Sequence, residues 1–237
     1  MEKIVAALWA PPGESREAYG HRLVSSLPAR LAAAGASSIR INIRDEAVSP
    51  ADALVQQWQA PQQDAVVQFW LPSANALFRA GIDAVLAEAS GKMSAWLVCE
   101  STIIANTAYP SVPSRRTPGW SQASFISFRP DMTHEAAIAH WHSHHTKVAI
   151  DTQSNFEYVQ NLIVRPLTEG APAYDAFVEE CFPEAAMSTP EAFFDAVGDP
   201  AKFEANVAAM TESCAGFIDF SRIDIIPSSQ YDFAAHG

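Results

Sequence analysis

Five of the seven histidines in this 237-residue chain fall in one short stretch, Thr133-His134-Glu135-Ala136-Ala137-Ile138-Ala139-His140-Trp141-His142-Ser143-His144-His145. The imidazole titrates nearest neutrality of all side chains, so such a cluster is suited to proton transfer or metal binding, or is only the polar face of a helix. Helical spacing separates these options. His140 and His144 are i,i+4 neighbours, as are Trp141 and His145, while His142 and His145 are i,i+3 neighbours. Ala137, Ile138, Trp141, Val148 and Ala149 mark the buried stripe, and His145 lies within it. The spacing therefore predicts that His145 points inward, as an acid/base group or as a hydrogen-bonded core histidine. His142 is a second candidate for ligand contact, and His134, His140 and His144 are expected in solvent.

Other chemistries find less support. His140/His144 could grip an ion, but no third ligand stands at a recognisable spacing, and no haem signature accompanies the helix. No Gly-x-Ser-x-Gly elbow, Gly-x-Gly-x-x-Gly loop or Walker loop occurs, so neither a cofactor nor a metal is expected. Cys99, Cys181 and Cys214 are widely spaced and form no disulfide framework. Glu179-Glu180 interrupts an otherwise apolar strand, and alternation sends the two carboxylates to opposite faces. Glu179 either lies at an open edge or partners His145.

The elements that must hold these residues occur in the same order twice. Strands are expected at 3–9, 39–44, 64–71 and 93–100, with helices at 15–34, capped by Ser15, and at 74–89, capped by Ser73. The second half offers strands at 123–129, 157–167, 174–182 and 217–226, a helix at 133–149, and helical sequence at 190–196 and 200–213. The pattern is β-α-β-β-α-β in each half. Residues 102–122, which hold Pro110, Pro113 and Pro118-Gly119, form a linker or a long loop. The expected class is α+β: two ferredoxin-like units, 1–101 and 123–237, packed sheet to sheet as one barrel with an interior cavity for a small molecule.

Composition narrows the partners. Hydrophobic residues make up 49% of the chain, and the net charge is −12. That balance disfavours nucleic acid and anionic membranes, and no apolar run suits a bilayer span or a signal peptide. A cytoplasmic protein is expected, with a small apolar or aromatic molecule as partner and a homodimer compatible with the fold.

Phe128-Arg129-Pro130, the Trp141/His145 pair and Tyr158-Val159-Gln160-Asn161, taken in order, resemble the EthD domain of the dimeric α+β barrel superfamily. Trp141 and His145 match that family's aromatic and histidine. Tyr158, Gln160 and Asn161 match its following strand, and Asp175 and Glu179 resemble an Asp and a Glu on its third strand. The family's proline after the histidine is replaced by Thr146-Lys147. In the first half, Leu23 and Leu27 stand at the positions of Trp141 and His145. The resemblance implies that one chain supplies both halves of what the family builds as a homodimer, with one half chemically equipped and the other structural. It implies a cofactor-independent decarboxylase, isomerase, cyclase or monooxygenase acting on a small apolar or aromatic carbonyl compound. His145, with Glu179, would be the acid/base, Tyr158 and Asn161 would hold a carbonyl or enolate oxygen, and Trp141 and His142 would contact the ligand. The alternative is a non-enzymatic ligand-binding or assembly protein.

Overall fold

The computed structural model describes residues 1–233. Eight antiparallel strands close into one barrel: β1 (Glu2–Trp9), β2 (Ser37–Ile43), β3 (Ala65–Leu71), β4 (Lys92–Ile104), β5 (Trp120–Ile126), β6 (Glu157–Pro166), β7 (Ala176–Phe182) and β8 (Asp224–Asp232). Around the barrel they run β1-β3-β2-β8-β5-β7-β6-β4. Each set of four thus has its first and third strands in the middle. The two sets join edge to edge through β2–β8, where Arg40 faces Asp232, and through β4–β6, where Val98 faces Ile163. Closure leaves no exposed sheet edge.

The helices pack on the outside. In α1 (Arg16–Ala33) the Ser15 side chain accepts from Ala18 N, and Tyr19, Leu23, Leu27 and Leu31, spaced by four, are buried against the sheet. Gly35, at φ +99°, provides the left-handed turn that ends the helix. α2 (Ala76–Ala89) begins later than expected, because Asn75 rather than Ser73 caps it, accepting from Leu77 N. The segment Glu46–Leu54, not anticipated, is a 3-10 helix lying beside β8.

Two expectations are corrected here. The last strand lies at Asp224–Asp232, not 217–226. Asp224, Ser228, Ser229 and Gln230 are fully buried polar residues, so this strand carries no apolar alternation to betray it. The expected interior cavity is also found only in part: side chains fill much of the barrel, as eight strands allow, and one mouth opens into a polar pocket of about 570 Å3 lined by Lys3, Arg40, Gln68, Glu100 and Glu157. One half of the interior holds Val5, Ala7, Trp9, Val66, Trp96, Phe125, Phe177 and Ile226. It is plugged by Tyr174, whose hydroxyl donates to Asp224.

The other half of the interior is a polar network centred on Glu179, which is wholly buried. Its carboxylate accepts from Arg40 Nη1 at 2.9 Å, Asn42 Nδ2 at 2.6 Å, Gln68 Nε2 at 2.7 Å, Ser121 Oγ at 2.9 Å and Gln230 Nε2 at 2.9 Å. Arg40 also donates to Glu157 at 2.8 Å and to Asp232 at 2.7 Å. Burial alone would raise the Glu179 pKa, but the Arg40 charge and the donated bonds outweigh it and hold the group at about 2.

A carboxylate with a depressed folded pKa stabilises the fold above its unfolded value and loses that contribution as pH falls through the folded one. Stability should therefore decline as pH drops from the ordinary 4.5 towards about 2. Glu179→Ala, which leaves the Arg40 cluster under-compensated, should lose about 3–5 kcal/mol in urea denaturation at pH 7 and flatten that acid limb.

Candidate active site

The histidine helix is not one regular helix. α3 (His134–His140), capped by Thr133 accepting from Ala136 N, passes into a π-turn over Trp141–His145 and then into α4 (Thr146–Thr152). Thr146 Oγ1 donates back to Trp141 O at 2.9 Å, which favours the wide turn. π-Turns are rare and concentrate at functional positions. The widening brings residues five apart into line. His140 Nε2 lies 3.1 Å from Ser213 O, and His145 Nδ1 lies 3.0 Å from Ser213 Oγ, both on α6 (Pro200–Ala215). His140 is therefore half-buried against α6 and Phe217, not in solvent as its α-helical spacing suggested.

His145 is 8% exposed and packs its ring 4.9 Å from that of Phe217. Burial, followed by the neighbouring imidazoles of His140 and His144, lowers its pKa to about 4, so the ring is uncharged at neutral pH. It lies in the wall of a cavity of about 630 Å3 between the outer face of the second-half strands and the helices. Trp141, Phe193, Phe194, Met210, Phe217 and Ile225 make most of that wall apolar. Pro50, Ala53, Leu54, Val55 and Gln56 close one side, so the first half of the chain completes the cavity of the second. A short helix, α5 (Pro190–Phe193), borders another side.

The expected site residues divide between this cavity and elsewhere. Trp141, His145 and Tyr158 line it together. The Tyr158 hydroxyl accepts from Trp141 Nε1 at 3.3 Å and from Gln160 Nε2 at 2.7 Å, so neither bond uses the phenolic proton. His142 is exposed and outside the wall, its ring against the outer side of Trp141. Asn161 is buried on the barrel-interior face of β6, opposite Phe177 in the β6–β7 ladder, and does not line the cavity. Glu179 also points into the barrel and cannot reach His145. Alternation along β7 places Glu180, not Glu179, in the cavity wall. Asp175 accepts from Phe128 N at 2.7 Å and is 3.6 Å from the exposed His134. In the first half, Leu23 and Leu27 are packed in core.

Glu180 is the carboxyl group of the cavity wall that the spacing argument passed over. It is 8% exposed, and its carboxyl accepts from Asn155 Nδ2 at 3.0 Å and, weakly, from Gln122 Nε2 at 3.5 Å. Among the described residues no Lys or Arg lines the cavity. Burial without a cation raises its pKa to about 7, and the Asn155 bond offsets only part of that. Two further buried polar atoms of the wall, Ser124 Oγ and Gln153 Oε1, have no protein partner. Among the described residues no three His, Cys, Asp or Glu side chains converge on a metal position. No helix among the described residues is long and apolar enough to cross a membrane.

The closed antiparallel barrel, with helices outside it and an apolar cavity between sheet and helices, makes this an α+β barrel protein. Residues 129–221, the stretch that holds the histidine helix and most of the cavity wall, match the family model of the EthD domain. A solved structure of an anthrone oxidase-like protein shares the fold, with TM-score 0.55 at 12% identity over 98% of this chain and 93% of its own. A protein of Lactobacillus acidophilus NCFM, provisionally named a monooxygenase, aligns with TM-score 0.49 at 10% identity over 99% of this chain and 97% of its own. No curated protein matches the sequence.

A carboxyl group whose folded pKa is raised binds its proton more tightly in the folded state, so stability falls as pH rises from the ordinary 4.5 to about 7. Glu180→Gln removes that penalty. Relative to the parent, the variant should gain on the order of 1–3 kcal/mol at pH 8 over its difference at pH 4, measured by urea denaturation at both pH values.

Proposed function

We propose that the cavity is the active site of an enzyme acting without a cofactor on a small apolar or aromatic carbonyl compound. The observation that carries this reading is the placing of an imidazole and a carboxyl group, His145 and Glu180, in one otherwise apolar enclosure beneath a π-turn. Ligand sites generally join an apolar wall to a few polar groups in this way.

His145, held through Nδ1 by Ser213, has its other nitrogen free of protein partners among the described contacts and can take a proton there. Glu180, with a pKa near neutrality, suits proton exchange at physiological pH. Tyr158 can give its unused proton to a carbonyl or enolate oxygen, stabilising charge as it develops. Decarboxylation, isomerisation, cyclisation and oxygenation all pass through such an enolate. An oxidative role is compatible with the name carried by the anthrone oxidase-like structure. The repeated strand order supports reading 1–101 and 123–237 as tandem ferredoxin-like halves joined by 102–122, the first having given up its own site to core packing at Leu23 and Leu27.

The experiment is a turnover screen of aromatic carbonyl compounds, followed by kinetics of the best substrate. His145→Ala and Glu180→Gln should each lower kcat by roughly 10²–10⁴. His21→Ala, on the exposed face of α1, should change neither rate nor melting temperature. If His145→Ala melts lower yet turns over substrate at the parent rate, His145 is a core residue and the non-enzymatic ligand-binding alternative gains.

A further inference from the structure

The hydrogen-bonding balance of the cavity wall specifies what it takes. Glu180 presents a carboxyl group whose partners among the described residues are the amides of Asn155 and Gln122. Gln153 Oε1 is a buried acceptor without a partner, and Ser124 Oγ is likewise unpaired. Lone polar groups held in an apolar wall are destabilising unless something bonds to them. The wall offers the acceptors Glu180 and Gln153, the hydroxyls of Tyr158 and Ser124 and, among the described residues, no permanent cation. An anionic ligand would find no counter-charge and would face Glu180, whereas a ligand bearing O–H groups would satisfy these atoms. Trp141, Phe193 and Phe217 supply flat aromatic surface, and about 630 Å3 suits a fused-ring molecule rather than a single small acid.

Resting on the reading that this cavity is the ligand site, we propose that its ligand is an uncharged, hydroxyl-bearing aromatic of the phenol class, which donates its O–H to Glu180. Glu180 is then the group that discriminates phenols from aromatic carboxylates. The other titratable side chains facing the cavity are His145 from the π-turn, Tyr158 from β6 and Cys214 from α6. His145 is lowered to about 4 by burial and by His140 and His144, Cys214 is pushed up to about 12 by burial and by Glu180, and burial raises Tyr158 as well. All three stay uncharged between pH 5 and pH 8, leaving Glu180 as the group that ionises in that window. A hydrogen bond from a neutral phenol to an ionised carboxylate is stronger than one to a neutral carboxyl group, so affinity should rise with pH.

The test measures binding of 1-naphthol, 1-naphthoate and naphthalene to the full chain by calorimetry at pH 5 and pH 8. At pH 8, 1-naphthol should bind at least about tenfold more tightly than 1-naphthoate, and about threefold to tenfold more tightly than it does at pH 5. Glu180→Gln should abolish the pH dependence and bring 1-naphthol close to naphthalene, while naphthalene itself binds as before. Naphthoate binding as well as naphthol at pH 8, or a pH profile unchanged by Glu180→Gln, would overturn the proposal. Naphthalene and naphthol binding equally in parent and variant would reject it while leaving the cavity as the ligand site. Failure of all three probes to bind would remove the cavity reading along with it. If Glu180→Gln does not fold, the parent's own pH profile decides: a flat profile rejects the role of Glu180.

Discussion

The barrel depends on a negative charge at its centre. Glu179 is withdrawn from water on every side, and an isolated carboxylate there would not remain ionised. What keeps it so is a ring of donors from different strands: Arg40 and Asn42 on β2, Gln68 on β3, Ser121 on β5 and Gln230 on β8. Arg40 comes from the first four strands, Glu157 and Glu179 from the second four. The ion network therefore spans the β2–β8 seam and cannot form in either half alone. A buried ionic network is weak evidence of net stability but good evidence of a specified register, since a slip of one residue would turn every member outward.

The same alternation organises the chemistry. β7 carries two adjacent carboxylates on opposite faces. One meets a guanidinium and remains charged far below neutrality; the other meets amides and aromatic rings and sits near pH 7. Nothing distinguishes the two residue types. The sorting is done by surroundings, by Arg40 on the inner face and, among the described residues, by the absence of any Lys or Arg from the cavity wall.

Much of this was legible in the residues. The order of strands and helices, the caps at Ser15 and Thr133, and the inward direction of Trp141, His145 and Tyr158 all follow from periodicity and motif order. Three things do not. The final strand escapes because its inward residues match a polar interior instead of an apolar one. The π-turn escapes because α-helical spacing presumes 3.6 residues per turn, so His140 was assigned to solvent. The choice between Glu179 and Glu180 escapes because alternation says only that the two differ, and which one faces the cavity is set by strand register around the closed barrel. Asn161 fails for the same reason: it stands three residues from Tyr158, on the opposite face.

The wall contributed by residues 50–56 has a consequence for how such a chain can change. In an assembly of two identical subunits, any substitution in a bordering segment appears at both sites at once, and so does any substitution in the catalytic helix. Here the borrowed wall and the helix are encoded separately. Leu54 and Gln56 can change without any change in the histidine helix, and Leu23 and Leu27 lie in hydrophobic packing away from the cavity. Selection can act on one pocket at a time, with the unequipped half serving as its adjustable rim.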